Sequence, residues 1–332
     1  MTSKTPADDF QITFSQNAAA MQMPARLSVL EAVAFKQAFQ QFLDDESAPQ
    51  QVVLDFEKTK FMDSSGVGAL VSNFKMIQTQ GGKLTLANVR PPVMAVLSMT
   101  GLDRVLTIES SEAHPQAASS PNTERFVPKT HPSIRSLVKR SLDVVGSIVG
   151  LGITGMVFVP IAIAIKLDSP GPIFFGQTRC GWMGKRFTIW KFRSMCTNAE
   201  ALKAKVQNQA SGAFFKNEND PRITSVGRFL RRTSLDELPQ FWNVLKGEMS
   251  LVGTRPPTPN EVDIYDVPEW QRLDVKPGMT GEWQVHGRSQ VRNFEDVIQL
   301  DLRYQKNWSL GYDLKLIVKT ILVVFNKDSG AV

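Results

Sequence analysis

Val144–Ile165 is a run of 22 residues without a formal charge, its only polar side chains being Ser147 and Thr154. A chain that contains such a run must bury it in a large core or place it in lipid. As a helix it would measure ~33 Å at 1.5 Å per residue, against a hydrocarbon core of ~30 Å. Gly146, Gly150, Gly152 and Gly155 sit inside it, followed by Pro160. Arg135, Lys139 and Arg140 precede the run; Lys166, Arg179, Lys185 and Arg186 follow it. Basic residues are retained on the cytoplasmic side of a membrane, and here both flanks are basic. A segment that enters, bends at Val159-Pro160 and returns to the same face satisfies both. Proline removes one helical hydrogen bond, which gives such a bend a local cause. The preferred expectation is a re-entrant membrane helix over 134–167, broken at Pro160. A plain span and a buried core helix are the alternatives.

At 332 residues the chain exceeds a typical domain, so two domains are expected. Residues 1–110 hold 9 Lys/Arg against 11 Asp/Glu, a net −2; the rest hold 29 against 21, a net +8. The basic part should face something anionic, whether nucleic acid, nucleotide phosphates or lipid headgroups. Cys180 and Cys196 have neither metal spacing nor the pattern of a disulfide framework, which fits a reducing compartment. Met1–Phe10 has acidic residues and no apolar run, so no cleavable signal peptide is expected there.

Residues 10–110 read as a small α/β unit. Gln51–Phe56 has a buried-strand pattern, and Leu30, Val33, Ala34, Ala38 and Phe42 before it fall at helical spacing. Asp63-Ser64-Ser65-Gly66 opens a second helix, Gly81-Gly82 turns into a strand at Lys83–Ala87, and Pro91-Pro92 starts a helix running to Met99. Val105–Ile108 closes as a short strand. Val53-Leu54-Asp55 followed by Phe61-Met62-Asp63-Ser64-Ser65-Gly66-Val67-Gly68 resembles the STAS domain, the fold of anti-sigma factor antagonists. The resemblance implies a central sheet with flanking helices over 1–110. It also makes Ser64 a phosphoacceptor candidate, because regulatory members carry a phosphorylation site at the matching residue. A serine there is equally an ordinary helix N-cap, worth ~1 kcal/mol. Residues 111–133, rich in Ser, Pro, Ala and Asn, have linker composition.

Asn219–Gly247 carries the chemistry. A helix with Arg228, Arg231 and Arg232 should end at Arg232; a second should start near Pro239 and stop at Gly247. Asp236 and Glu237 then lie just ahead of a helix N-terminus, where free N–H groups and the macrodipole favour carboxylates and bound phosphates. Ser234 and Glu237 also have the spacing of a capping box, which would need no catalysis. Vicinal carboxylates among arginines suit phosphoryl chemistry, one attacking phosphorus or holding a divalent cation while guanidinium groups neutralise charge. Gly311–Phe325 places Leu314, Ile317, Val318, Ile321, Leu322 and Phe325 on one face, as in an interfacial amphipathic helix or a core helix.

The motifs Lys139-Arg140-Ser-Leu-Asp143, Ser169–Phe175, Lys191–Met195, Asp220-Pro-Arg222, Ser234–Gln240, Gly247–Pro256 and Lys276–Gly281 occur in order. In this, residues 135–325 resemble the bacterial sugar transferases, the monotopic polyprenyl-phosphate phosphoglycosyl transferases. The resemblance implies a mainly helical α+β catalytic domain over 168–332, with a re-entrant membrane helix and interfacial helices. It implies transfer of a sugar 1-phosphate from a UDP-sugar to undecaprenyl phosphate in two displacements, initiating polysaccharide or glycoconjugate synthesis. Asp236 matches the nucleophile that releases UMP, and Glu237 supports Mg2+ with it. A helix broken near a proline, here Pro160, is also implied. Lys191, Arg193, Arg222 and Arg255 are the phosphate-binding candidates. His286, Thr254 and Glu282 depart from the family pattern, and His286 is read as a supporting or surface residue. The chain should sit on the cytoplasmic face of the bacterial inner membrane with both domains on that side. Expected partners are membrane lipids and a second copy or regulator bound through the STAS unit, with no nucleic acid. A different reading keeps STAS signalling as the primary activity and the transferase half as vestigial.

Overall fold

The computed structural model describes residues 10–14, 18–45, 49–109, 130–202, 206–209, 217, 219–287 and 293–325. These fall into two compact units. The first comprises residues up to 130 together with 183–185 and 265–274; the second comprises 131–182, 186–264 and 275–332. Most of the expected linker, 110–129, lies outside the described residues.

The first unit is built on a five-stranded sheet in the order β1-β2-β4-β6-β7. The strands are β1 (Ile12–Phe14), β2 (Ala18–Gln22), β4 (Gln51–Asp55), β6 (Lys83–Ala87) and β7 (Thr107–Ile108). β1 runs antiparallel to β2 and the other neighbours are parallel. β3 (Arg26–Leu27) and β5 (Phe61–Met62) pair separately. The helices α1 (Val29–Leu43), α2 (Ser64–Thr79) and α3 (Pro91–Thr100) supply the cover. Parallel strands need crossovers, and α1, α2 and α3 fall in the connections as that requires. The core gathers Met21, Phe35, Phe39, Leu54, Leu70 and Leu86. α2 is capped by Asp63, whose carboxylate accepts from Gly66 N at 3.1 Å. Ser64 is the first helical residue rather than the cap, which corrects the N-cap reading of that serine.

The second unit begins with α4 (Pro132–Arg135), and then α5 runs from Leu137 to Asp168. A hairpin of β8 (Phe174–Cys180) and β9 (Arg186–Phe192) follows. Next come α6 (Ala199–Leu202), α7 (Ser225–Arg232), α8 (Gln240–Lys246), β10 (Ser250–Val252) and α9 (Pro259–Val262). β11 (Gly278–Thr280) pairs parallel with β10, and α10 (Glu282–Gly287), α11 (Phe294–Lys306) and α12 (Leu310–Phe325) complete the unit.

α5 is one continuous helix of 32 residues with Pro160 inside it, so the expected break is not an interruption of the helix. Any return to the same membrane face has to come from a bend in one helix, not from a loop between two. Its buried residues, Lys139, Asp143, Ser147, Gly150, Thr154, Ile161, Ala162 and Ile165, fall on one helical face, mostly three or four positions apart with one step of seven. Each meets the body of the unit. Asp143 Oδ1 accepts from Ser250 Oγ and Leu251 N, both at 2.9 Å. Gly150 lies so close to the Phe241 ring that no side chain fits between them. Ile161 and Ile165 pack with Phe192 and Leu230. Asp168 accepts from Val226 N at 3.0 Å, at the positive start of α7. The opposite face is apolar and uncovered: Val145, Ile148, Val149, Met156, Val159 and Ile163 are exposed, Met156 by 83%.

α12 has one buried and one exposed face. Leu316 and Asp313 point inward, whereas Leu314, Val318, Ile321 and Leu322 are exposed. Cys180 is buried and its thiol is pushed up to about 11, chiefly by burial; Cys196 is half-exposed. A soluble maleimide at pH 8 should therefore label Cys196 and leave Cys180 largely unmodified, since only about 0.1% of the latter would be thiolate. Mass mapping of the labelled peptides reads this directly.

Candidate active site

Asp236 and Glu237 sit on a single 3-10 turn, Leu235–Glu237, immediately before α8. Pro239 is the N-cap of α8, and Gly247 ends it in the left-handed region at φ 82. The capping-box alternative is not what forms: Ser234 makes no side-chain cap hydrogen bond. Instead Ser234 itself takes φ 56, a conformation that costs a non-glycine residue about 1 kcal/mol or more. That kink reverses the chain between α7 and the turn. α7 is held in place by Gly227, where any side chain would strike the Ser194 carbonyl, and by Thr224 capping Gly227 N. Asp236 is thereby buried, at 6% exposure, while Glu237 remains half-buried.

Lys191 comes from the end of β9, and its Nζ lies 2.9 Å from Glu237 Oε1. Arg255 follows β10 and forms a two-pronged pair with Glu261 of α9, at 2.6 and 3.2 Å. Its guanidinium also lies 5.7 Å from the centroid of the Trp283 ring. Of these two expected phosphate-binding residues, Lys191 touches the dyad directly and Arg255 is held by Glu261.

Arg193 and Arg222, the other two, are both buried. Arg193 Nη2 donates to Ser169 O at 2.6 Å, Ser169 Oγ at 3.1 Å and Ile165 O at 3.3 Å, closing the carboxyl end of α5. Arg222 grips Asp220 through Nε and Nη2 and donates to Ala199 O, and the pairing holds the Asp220 carboxyl below its usual range. Arg193 keeps Nε and Nη1 buried without a partner.

A third cation, absent from the expected set, lies in the same electrostatic neighbourhood. Arg179, on β8, feels the charges of Arg255, Glu261 and Glu237. Burial first, and then Arg255, lower its pKa to about 10, so it remains a cation at neutral pH. Its Nη1 donates to Pro256 O at 3.0 Å and its Nη2 to Gln177 Oε1 at 2.7 Å, leaving Nε buried without a partner. Trp283 Nε1 is likewise a buried donor without a partner. Alternation along β8 puts Gln177 and Arg179 on one face, a signal that could have drawn attention to Arg179.

The residues that depart from the family pattern have structural roles. Glu282 is buried and binds His286 at 2.5 Å and Arg303 at 2.9 Å, tying α10 to α11. Thr254 is buried and bridges to Pro277 beside β11.

The turn thus presents vicinal carboxylates just ahead of a helix, with Lys191 on Glu237 and with Arg179 within reach of the charges of both Glu237 and Arg255. The sequence model described as "Bacterial sugar transferase" matches residues 134–327, and that of the STAS domain matches 9–114. The chain belongs to the bacterial sugar transferase family and carries a STAS domain ahead of the transferase region. It is 48% identical over 190 residues to "Galactosyl transferase CpsE" of Streptococcus agalactiae, covering 57% of this chain and 42% of that one. To "Undecaprenyl-phosphate galactose phosphotransferase" of Salmonella typhimurium it is 44% identical over 199 residues, covering 58% and 41%. To "Exopolysaccharide production protein ExoY" of Sinorhizobium fredii it is 37% identical over 217 residues, covering 63% and 96%. The chain thus spans less than half the length of the first two relatives and nearly all of the third.

Proposed function

We propose that this chain transfers a sugar 1-phosphate from a UDP-sugar to undecaprenyl phosphate at the cytoplasmic face of a bacterial membrane. The observation that carries the reading is Asp236 buried at the start of α8, beside a Glu237 already paired with Lys191. The undecaprenyl phosphate is suggested by the name of the Salmonella relative. In the first displacement the Asp236 carboxylate attacks the sugar-proximal phosphorus. A carboxylate–phosphorus bond forms as the bond to UMP breaks, and UMP leaves with the electron pair. An oxygen of undecaprenyl phosphate then attacks the same phosphorus and restores the carboxylate. Lys191, Arg255 and Arg179 offset the charge that gathers on the phosphoryl oxygens.

Among the described residues no three His, Cys, Asp or Glu side chains gather into a metal cage. Mg2+ usually takes one or two carboxylates together with substrate phosphates and water. Asp236 and Glu237 fit that mode, so they would hold Mg2+ brought in with the diphosphate. When bound, the ion would neutralise charge on the bridging phosphate oxygens.

The packing of α5 supports a monotopic placement. A helix seated along the body that carries the dyad cannot stand across ~30 Å of hydrocarbon without drawing α7, α8 and β10 in with it. An α5 that enters from the cytoplasmic face and bends at Pro160 keeps its apolar face in lipid and its polar stripe on protein. Single cysteines replacing Arg135 and Thr178, in a Cys196→Ser background, should both react with an impermeant maleimide only in inverted vesicles. Labelling from opposite sides would reject this topology.

Turnover is tested with purified protein, Mg2+, a panel of UDP-sugars and undecaprenyl phosphate, following UMP and the lipid-linked diphosphate sugar. Transfer from at least one donor is expected, and none from any donor would favour the vestigial reading. Arg179→Met should lower kcat/KM by roughly 10²–10³-fold, the usual effect of removing one charge-stabilising donor. An unchanged value would remove Arg179 from the site.

A further inference from the structure

The first unit contains a stretch that the STAS domain match does not cover. Tyr265–Asp274 is joined at both ends to the transferase region, yet it clusters with the STAS elements. Its contacts converge on the start of α2. Ser64 is 0% exposed; its Oγ donates toward Trp270 O at 2.6 Å and Asp274 Oδ1 at 2.7 Å, and its N donates to Asp274 Oδ1 at 3.1 Å. One turn further on, Gly68 lies flat against the Trp270 indole, where a Cβ would come within 2.5 Å of the ring. Lys36 of α1 pairs with Asp266 at 3.3 Å, and Thr130 Oγ1 donates to Asp274 O at 2.7 Å.

We propose that this face of α2 is a docking surface whose occupant is Tyr265–Asp274 of the same chain, and that negative charge on Ser64 expels it. Three features argue for a built seat. The notch over Gly68 accepts a flat aromatic ring only because no side chain stands there. The Ser64 hydroxyl and amide are both spent on the segment. The surroundings also have no room for another anion: burial and the nearby Asp63 raise Asp274 to about 7, and burial raises Asp63 to about 6. A phosphate-sized dianion at Ser64 would lose the Asp274 hydrogen bonds and face two carboxyls across a desolvated gap. Ser64 is accordingly a lock residue covered by its own chain, and any enzyme acting on it needs the segment displaced first. The consequence reaches the transferase, because the displaced stretch lies between Arg255 with Glu261 on one side and Lys276 on the other.

Hydrogen exchange on the full-length protein in detergent, read by mass spectrometry on peptides spanning 265–274, tests the seat without any turnover assay. It therefore stands or falls independently of the proposed transferase activity. Gly68→Leu fills the notch, Ser64→Asp supplies charge, and Trp270→Ala removes the ring from the opposite side. Each should speed exchange in 265–274 at least ten-fold while β4 and β6 keep wild-type protection. Ser64→Ala, which adds no charge, should shift exchange less than Ser64→Asp does. Wild-type protection of 265–274 in Gly68→Leu and Trp270→Ala would overturn the docking surface. Equal exchange in Ser64→Ala and Ser64→Asp would overturn the charge-driven release.

Discussion

Replacing Asp236 by Asn is expected to lower sugar-phosphate transfer by on the order of 10⁴–10⁶-fold, the scale seen when a covalent nucleophile is removed. Asn has the shape of Asp but cannot attack phosphorus, so the loss should appear in kcat with little change in thermal stability. Glu237→Gln should be milder, roughly 10²–10³-fold, because it discharges the partner of Lys191 and leaves the attacking group intact. The contrast separates a nucleophile from a positioning carboxylate on the same turn. Steady-state assays of UMP release for both variants, with circular dichroism melting beside them, read it.

The second large effect is on stability. Lys139 Nζ lies 2.6 Å from Asp313 Oδ2, and both side chains are more than nine-tenths buried. Lys139 also donates to Val252 O at 2.9 Å, Tyr304 O–H donates to Asp313 Oδ1 at 2.9 Å, and Trp308 Nε1 reaches Asp313 Oδ2 at 3.2 Å. The cluster fastens the first turns of α5 to α11 and α12. Lys139→Met strands the Asp313 carboxylate in a dry interior and should destabilise the second unit by about 3–5 kcal/mol. Lys139→Met with Asp313→Leu removes both charges and should recover most of that loss. Denaturant titration of the four members of the cycle measures the coupling. A single-mutant loss under about 1 kcal/mol would mean that water reaches the pair.

Much of this was legible in the sequence, for identifiable reasons. Gln51–Asp55 and Lys83–Ala87 announce themselves as strands because they are rich in β-branched and leucine side chains bounded by turns. β2 does not: Ala18-Ala-Ala-Met-Gln22 has weak strand propensity and is a strand because it pairs with β4 in the sheet. The turn before α8 was placed by Pro239 and Gly247, whose backbone preferences are local. The partners of the arginines were not local at all. Arg193 shares a motif with Lys191 yet bonds Ser169 and Ile165, and Arg179 comes under the charge of Glu237 through the β8–β9 hairpin. The path of α5 was likewise only half legible. Its apolar length is written in the composition, but the polar stripe that seats it along the body depends on partners more than 80 residues away.

The central claim is that Asp236 carries the sugar phosphate between donor and lipid. Mixing the protein with its UDP-sugar and Mg2+ in the absence of undecaprenyl phosphate, then quenching and mapping peptides by mass, tests it most directly. A burst of UMP approaching one per active site and a sugar-phosphate mass increment on the peptide bearing Asp236 are expected, both missing in Asp236→Asn. UMP that forms only when the lipid acceptor is present, with no increment on that peptide, would contradict it.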